Sequence, residues 1–419
     1  MYHVISRLTG ITVGSLALGF LASFFAARDI GYKQAADRSR PLPNGSIHCN
    51  PGPWGELTYT PFTISTPDDL LPIRSIEAEG THWLFSGYST DQIVALLQST
   101  SLSPDQQRAF LSPAVMHVRA DGVDLTPSND LVLSMPDDAR NKLISVLAQG
   151  PDSEGQFAVI DKNVVDQQFA ANGVSDATTK LFKRLSYVRG DFMVVSSLPA
   201  LLSRLPTYAE KVALARGLTS QRTMLLRLHV TPQSDIDALS AYWGKGCGDT
   251  DIHTILKSLT ASPSGTWMNI LMVMPSLPSS EIYNFQTVQD NPLNGPPVNR
   301  DCAWTALNFF NSVPNPNFGK FPYVLRELQD NYEKVCDAPR YGDVIFFSKP
   351  NGSVIHSAVY IADNICFTKN GGNVANPWML STIGEVSRHY SYQIDPSQQL
   401  TVSYYRDKRI PEQEYLTER

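Results

Sequence analysis

Between Tyr341 and Asn370 an apolar run is cut into short pieces by the pairs Gly342-Asp343, Asn351-Gly352 and Asp363-Asn364. Each pair favours a tight turn, and β-branched and aromatic pieces between such turns pack best as adjacent antiparallel strands. The spacing predicts a β-meander made of Val344–Phe347, Ile355–Ile361 and Ile365–Asn370. A last turn centred on Asp363 sets Asn370 opposite His356 and Thr368 opposite Ala358, on one face.

Upstream, Asp301-Cys302 opens the stretch CAWTALNFF, whose apolar residues 303, 306, 307 and 310 fall at helical spacing. Asp301 is a natural N-cap, and a cysteine in the first turn of a helix lies at the positive end of its dipole, which favours the thiolate. The unpaired backbone N–H groups there suit a developing oxyanion. His356 is the candidate base for Cys302, and a polar hairpin neighbour would fix its tautomer. An amide accepts an imidazole N–H better than a hydroxyl does, so Asn370 is the first choice for that role and Thr368 the second.

Asp301-Cys302, Gly342-Asp343-Val344-Ile345-Phe346-Phe347 and His356, in that order, resemble the NlpC-type cysteine peptidases. The likeness covers about a quarter of the chain. It implies a papain-like α+β domain, with the cysteine helix packed on an antiparallel sheet that carries the histidine. It also implies hydrolysis of amide bonds in cell-wall stem peptides through a thioester acyl-enzyme, with no cofactor and no metal. Where the family has Ser-Gly after the cysteine, this chain has Ala303-Trp304, which places Trp304 in the substrate cleft. Two further readings stand beside the hydrolase: an inactive binding or scaffolding module, and an acyltransferase or thioesterase on the same frame.

The rest of the chain carries less chemistry. Leu8 to Ala27 is uncharged and matches the ~20 residues that span a bilayer, so residues 1–34 are expected to be a membrane anchor or signal segment. Arg28, Lys33, Arg38 and Arg40 follow this segment and argue for a cytoplasmic body. A large hydrolase-like domain behind one anchor argues for an inner-membrane protein facing the envelope. Residues 35–53 read as a linker, 54–285 as a mixed α/β domain without a visible repeat, and 286–419 as the hydrolase domain. The boundary near 285 is drawn at the proline-rich stretch from Pro275 to Pro297.

Within the middle region, Ser89 with Gln92 and Ser103 with Gln106 have capping-box spacing and predict helix starts. Helices are expected over 137–148, 176–185 and 235–243, and buried strands over 192–195, 224–230 and 267–274. With 34 basic and 40 acidic residues the net charge is −6, which disfavours a nucleic-acid partner. The expected partners are a peptide or peptidoglycan substrate and, through the N-terminal helix, a membrane. Five cysteines, none in a CxxC pair, suit neither a disulfide scaffold nor a zinc site.

Overall fold

The computed structural model describes residues 45–148, 158–247, 251–286 and 298–410. The apolar segment 8–27 lies outside the described residues. Among the described residues no helix is long and apolar enough to cross a membrane.

Local signals at the chain level translate directly into elements. Ser89 and Ser103 each accept a hydrogen bond from the backbone of the glutamine three residues on, and each glutamine side chain returns the bond. These reciprocal pairs start the helices Thr90–Gln98 and Pro104–Phe110 by satisfying N–H groups the first turn leaves open. The expected helices near 137, 176 and 235 run over Asp137–Leu147, Asp176–Leu185 and Ile236–Trp243. The expected strand 267–274 is half right. Thr266–Asn269 is extended, but Asn269 then caps a short 3-10 turn at Ile270–Val273 by accepting from the Leu271 backbone.

Among the described residues, the expected division into a papain-like α+β domain and a separate mixed α/β domain is replaced by one mixed α and β body with several antiparallel sheets, while the expected membrane helix lies outside them. The six-stranded sheet has the order Tyr332–Lys334, Thr401–Asp407, Val344–Ser348, Val354–Ala362, Ile365–Lys369, Trp378–Thr382. A four-stranded sheet pairs Ile47–His48, Glu56–Ile64, Gln221–Val230 and Thr266–Asn269. The two sheets share one core, in which Leu57, Leu226, Leu228 and Trp243 pack with Trp304, Val359, Phe367 and Trp378. Buried polar side chains add bonds across the same boundary: Thr223 Oγ1 of the four-stranded sheet donates to Leu380 O of the six-stranded one at 2.9 Å, and the Tyr242 hydroxyl, on the helix Ile236–Trp243, donates to Ile361 O at 2.6 Å. The packing therefore crosses the boundary expected at residue 285. The prolines there mark a connection, and a connection does not reveal whether its flanking elements share a core.

Between Glu56–Ile64 and its partner Gln221–Val230 the chain inserts two copies of one supersecondary unit, which the sequence reading did not detect. In the first, Trp83–Ser86 is followed by two helices, the hairpin Met116–Arg119 with Gly122–Leu125, and two more helices. In the second, Ala158–Asp161 is followed in the same way by two helices, the hairpin Tyr187–Arg189 with Phe192–Val195, and two more helices. Both form three-stranded sheets with the last strand in the middle. Val118-Arg119-Ala120-Asp121 and Val188-Arg189-Gly190-Asp191 turn the two hairpins at equivalent places, Arg119 facing Gly122 and Arg189 facing Phe192. That short recurrence is the sequence signal of the duplication.

Because the core crosses residue 285, a fragment beginning at residue 286 exposes the apolar face that Leu57, Leu226 and Leu228 cover. Such a fragment should lack a cooperative thermal transition and a near-ultraviolet circular dichroism signal. A two-state transition in the isolated fragment would contradict the shared core.

Candidate active site

Cys302 opens the helix Cys302–Leu307. Asp301 is the cap expected from the sequence: its Oδ1 accepts from Trp304 N at 2.9 Å, and its own Oδ2 accepts from Asn299 Nδ2 at 2.9 Å. Burial raises the Asp301 carboxyl above its ordinary range, against the lowering effect of the backbone bonds at the cap. Trp304 does not narrow a cleft. It points into the core, 1% exposed, with its ring 6.3 Å from Trp378 and the Arg300 guanidinium 5.0 Å from its own centroid. At helical spacing Trp304 and Leu307 share the stripe that covers the sheet, which is why the indole is inside.

The sheet under this helix decides the fate of the expected dyad. Successive residues of a strand face opposite sides. Along Val354–Ala362, Val359 and Ile361 pack with Trp304, Ala306 and Leu307, on the helix side. Ala358 and Tyr360 pack instead with Phe347, Cys366, Val386 and Tyr390, on the other side. His356 shares the parity of Ala358 and Tyr360, and its ring stacks on Tyr390 at 4.3 Å and lies 5.8 Å from Phe347. The structure therefore sets Cys302 and His356 on opposite faces of one sheet, and the expected Cys302–His356 pair does not assemble.

The histidine environment is closed. His356 is 1% exposed, and its Nε2 lies 2.7 Å from Thr368 Oγ1. Thr368 donates its own proton to Ser357 O at 3.2 Å, so the hydroxyl oxygen accepts from His356, which must carry its proton on Nε2. Nδ1 is left without a partner. Burial, with a smaller contribution from nearby His389, pushes the imidazole down to about 3, so it is neutral at physiological pH.

The ladder pairs Val359 with Phe367 and Tyr360 with Cys366. Continued to the strand end, that register sets Asn370 opposite His356, in line with the hairpin arithmetic. The contact nevertheless goes diagonally to Thr368. Asn370 lies just past the strand end and turns its Nδ2 to Gln221 Oε1 at 3.1 Å, so the second-choice residue holds the imidazole.

On its own face Cys302 meets different chemistry. Lys369, 0% exposed, donates to Gly371 O at 3.0 Å and Asn373 O at 2.9 Å and lies 5.5 Å from the Trp378 ring centroid. Burial pushes its ammonium down to about 8, opposed by the negative charges of Asp301 and Cys302. Asp343 shapes the turn before its strand, as expected: its Oδ2 accepts from Arg340 N at 2.8 Å and from Arg406 Nη2 at 2.8 Å. Gly342 beside it has φ of 89°, and a Cβ there would run into the Phe310 ring. Cys366 is buried packing, its Sγ near Ser381 O at 3.5 Å.

The sequence reading missed a cleft of about 610 Å³ on the His356 side of the six-stranded sheet. Its walls come from the second inserted unit, the start of Gln221–Val230 and the segment from Asn370 to His389. Arg388 pairs with Asp161 across it, and Arg222 lies 3.8 Å from Glu385. No local motif could have announced it, because its walls are distant in the chain. Among the described residues no three His, Cys, Asp or Glu side chains are grouped to hold a metal ion. No protein-family model, no curated protein and no solved structure matches the chain.

The buried histidine sets a pH dependence with a definite sign. Its folded pKa lies below the ordinary value of about 6.5, so between pH 6.5 and about 3 the unfolded chain binds a proton that the folded chain does not. His356 therefore removes stability as pH falls, by at most about 1.4 kcal/mol per pH unit. Urea unfolding of wild type and His356→Gln at pH 7, 6 and 5 should show the smaller loss in the variant. Parallel losses would contradict the sealed, neutral ring.

Proposed function

We propose that this chain is a binding protein whose seat is the 610 Å³ cleft, with a short peptide or other amide-rich molecule as its ligand. The observation that carries this is the internal pairing of the cleft's charges. Two guanidinium and two carboxylate groups meet each other, which leaves no net charge to select an ion. What remains on the walls is side-chain amides and hydroxyls such as Gln167 and Ser381, apolar surface from Val159, Phe192 and Met379, and His389. Burial pushes His389 down to about 4, so its neutral ring offers one donor and one acceptor. A peptide backbone presents the complementary pair at every residue.

A second reading, a cysteine hydrolase, rests on Cys302 being part-exposed beside Lys369. It would need Lys369 in place of His356.

Calorimetric titration of the full chain with a synthetic D-residue-containing stem-type peptide, followed by mass spectrometry of the mixture, separates the readings. Saturable binding without cleavage, unchanged in Cys302→Ala and weakened at least fivefold in His389→Ala, is the expected result. Cleavage that disappears in Cys302→Ala would restore the hydrolase. Absence of binding would overturn the cleft assignment.

A further inference from the structure

The two inserted units differ at one position in how they treat the same arginine. In the first, Arg119 lies on the surface, with Nε 3.3 Å from Asp121 and Nη1 4.0 Å from Asp124. In the second, Arg189 occupies the equivalent hairpin position but is only 8% exposed. Its Nη2 donates to Ile394 O at 3.0 Å, its Nε has no partner, and no carboxylate pairs with it among the described residues. The equivalent of Asp124, which faces His117, is Val194, which faces Tyr187. The equivalent of Asp121 is Asp191, and it is engaged with Lys162 at 3.3 Å. One counter-ion of the first unit is thus replaced by an apolar residue in the second, and the other is turned to Lys162. Burial lowers the Arg189 pKa, with Tyr187 and Asp395 only partly offsetting it.

A guanidinium taken out of water without a counter-ion is costly, and proteins keep such charges where something else neutralises them. Arg189 lines a cavity of about 550 Å³ between its own hairpin, the turn Lys349–Asn351 and the segment 393–398. Lys349 adds a second cation to the wall, Asp395 adds one anion, and Asn351, Gln393 and Gln398 add amides. Arg189 is thus the buried cation of this wall, and one buried guanidinium suits a monoanion better than a dianion.

We infer that the cavity at Arg189 binds a ligand through a single carboxylate, with the arginine of the second inserted unit as the fixed cation. This site is separate from the peptide cleft and does not rest on that reading. A carboxylate accepts a planar pair of N–H bonds from guanidinium and leaves its remaining lone pairs for the amides.

The test uses the full chain and four probes: N-acetyl-trialanine, its C-terminal amide, sodium acetate and inorganic phosphate, each titrated calorimetrically at low salt. The acid should bind at least tenfold tighter than the amide, and phosphate no tighter than the acid. Acetate binding as well as the tripeptide acid identifies a free small carboxylate as the ligand, and weaker acetate binding identifies a peptide C-terminus. Arg189→Gln should erase the difference between acid and amide, and Lys349→Gln should reduce it severalfold. Equal binding of acid and amide, binding of neither, or tighter phosphate overturns the proposal, as does a folded Arg189→Gln that keeps the preference. Should Arg189→Gln fail to fold, the wild-type acid-to-amide ratio and Lys349→Gln decide the matter.

Discussion

A β-strand covered on both sides cannot let neighbouring side chains meet, and everything about the candidate chemistry follows from that constraint. In Val354–Ala362 every position after the first is buried. One face belongs to the helix that begins at Cys302 and to the shared core of the two large sheets. The other belongs to the helix Ile383–Tyr390, whose Val386 and Tyr390 close over His356. The sheet is thus a partition as well as a scaffold: sulfur with lysine on one side, imidazole with threonine on the other.

Much of the local architecture was legible in the residues. Capping boxes, the turn pairs and the hairpin centred on Asp363 specify their elements through contacts only a few residues apart, and Asp301 caps its helix for the same reason. Which face of the strand His356 takes was not legible. The run Val-Ile-His-Ser-Ala-Val-Tyr-Ile-Ala has no alternation of polar and apolar residues to mark an outside, so parity relative to the Cys302 helix had no signature. The pairing of Glu56–Ile64 with Gln221–Val230 was hidden as well, because more than the length of a domain's inserted units separates the two strands. The duplication has almost no sequence signature, because it survives as a supersecondary pattern and little more than one Val-Arg-small-Asp tetrad.

The insertions also explain why the cavities lie where they do. The second unit docks on the six-stranded sheet's far side through Phe192 and Val194 packed with Tyr392, and its strands supply one wall of each space. The first unit has its own core around Trp83, Phe85 and Phe110, and its Arg119 stays in water with carboxylates at hand. The same hairpin has therefore been placed in two dielectric settings. In one the arginine is an ordinary surface ion, and in the other it is a buried cation beside a void.

The separation of Cys302 from His356 is tested most directly by the pH dependence of alkylation at Cys302, followed peptide by peptide with iodoacetamide and mass spectrometry. The partition predicts superimposable rate profiles for wild type and for His356→Gln or Thr368→Val, each confirmed to be folded. A profile whose midpoint moves when the imidazole or its threonine partner is replaced would show the two groups in contact and would contradict the account.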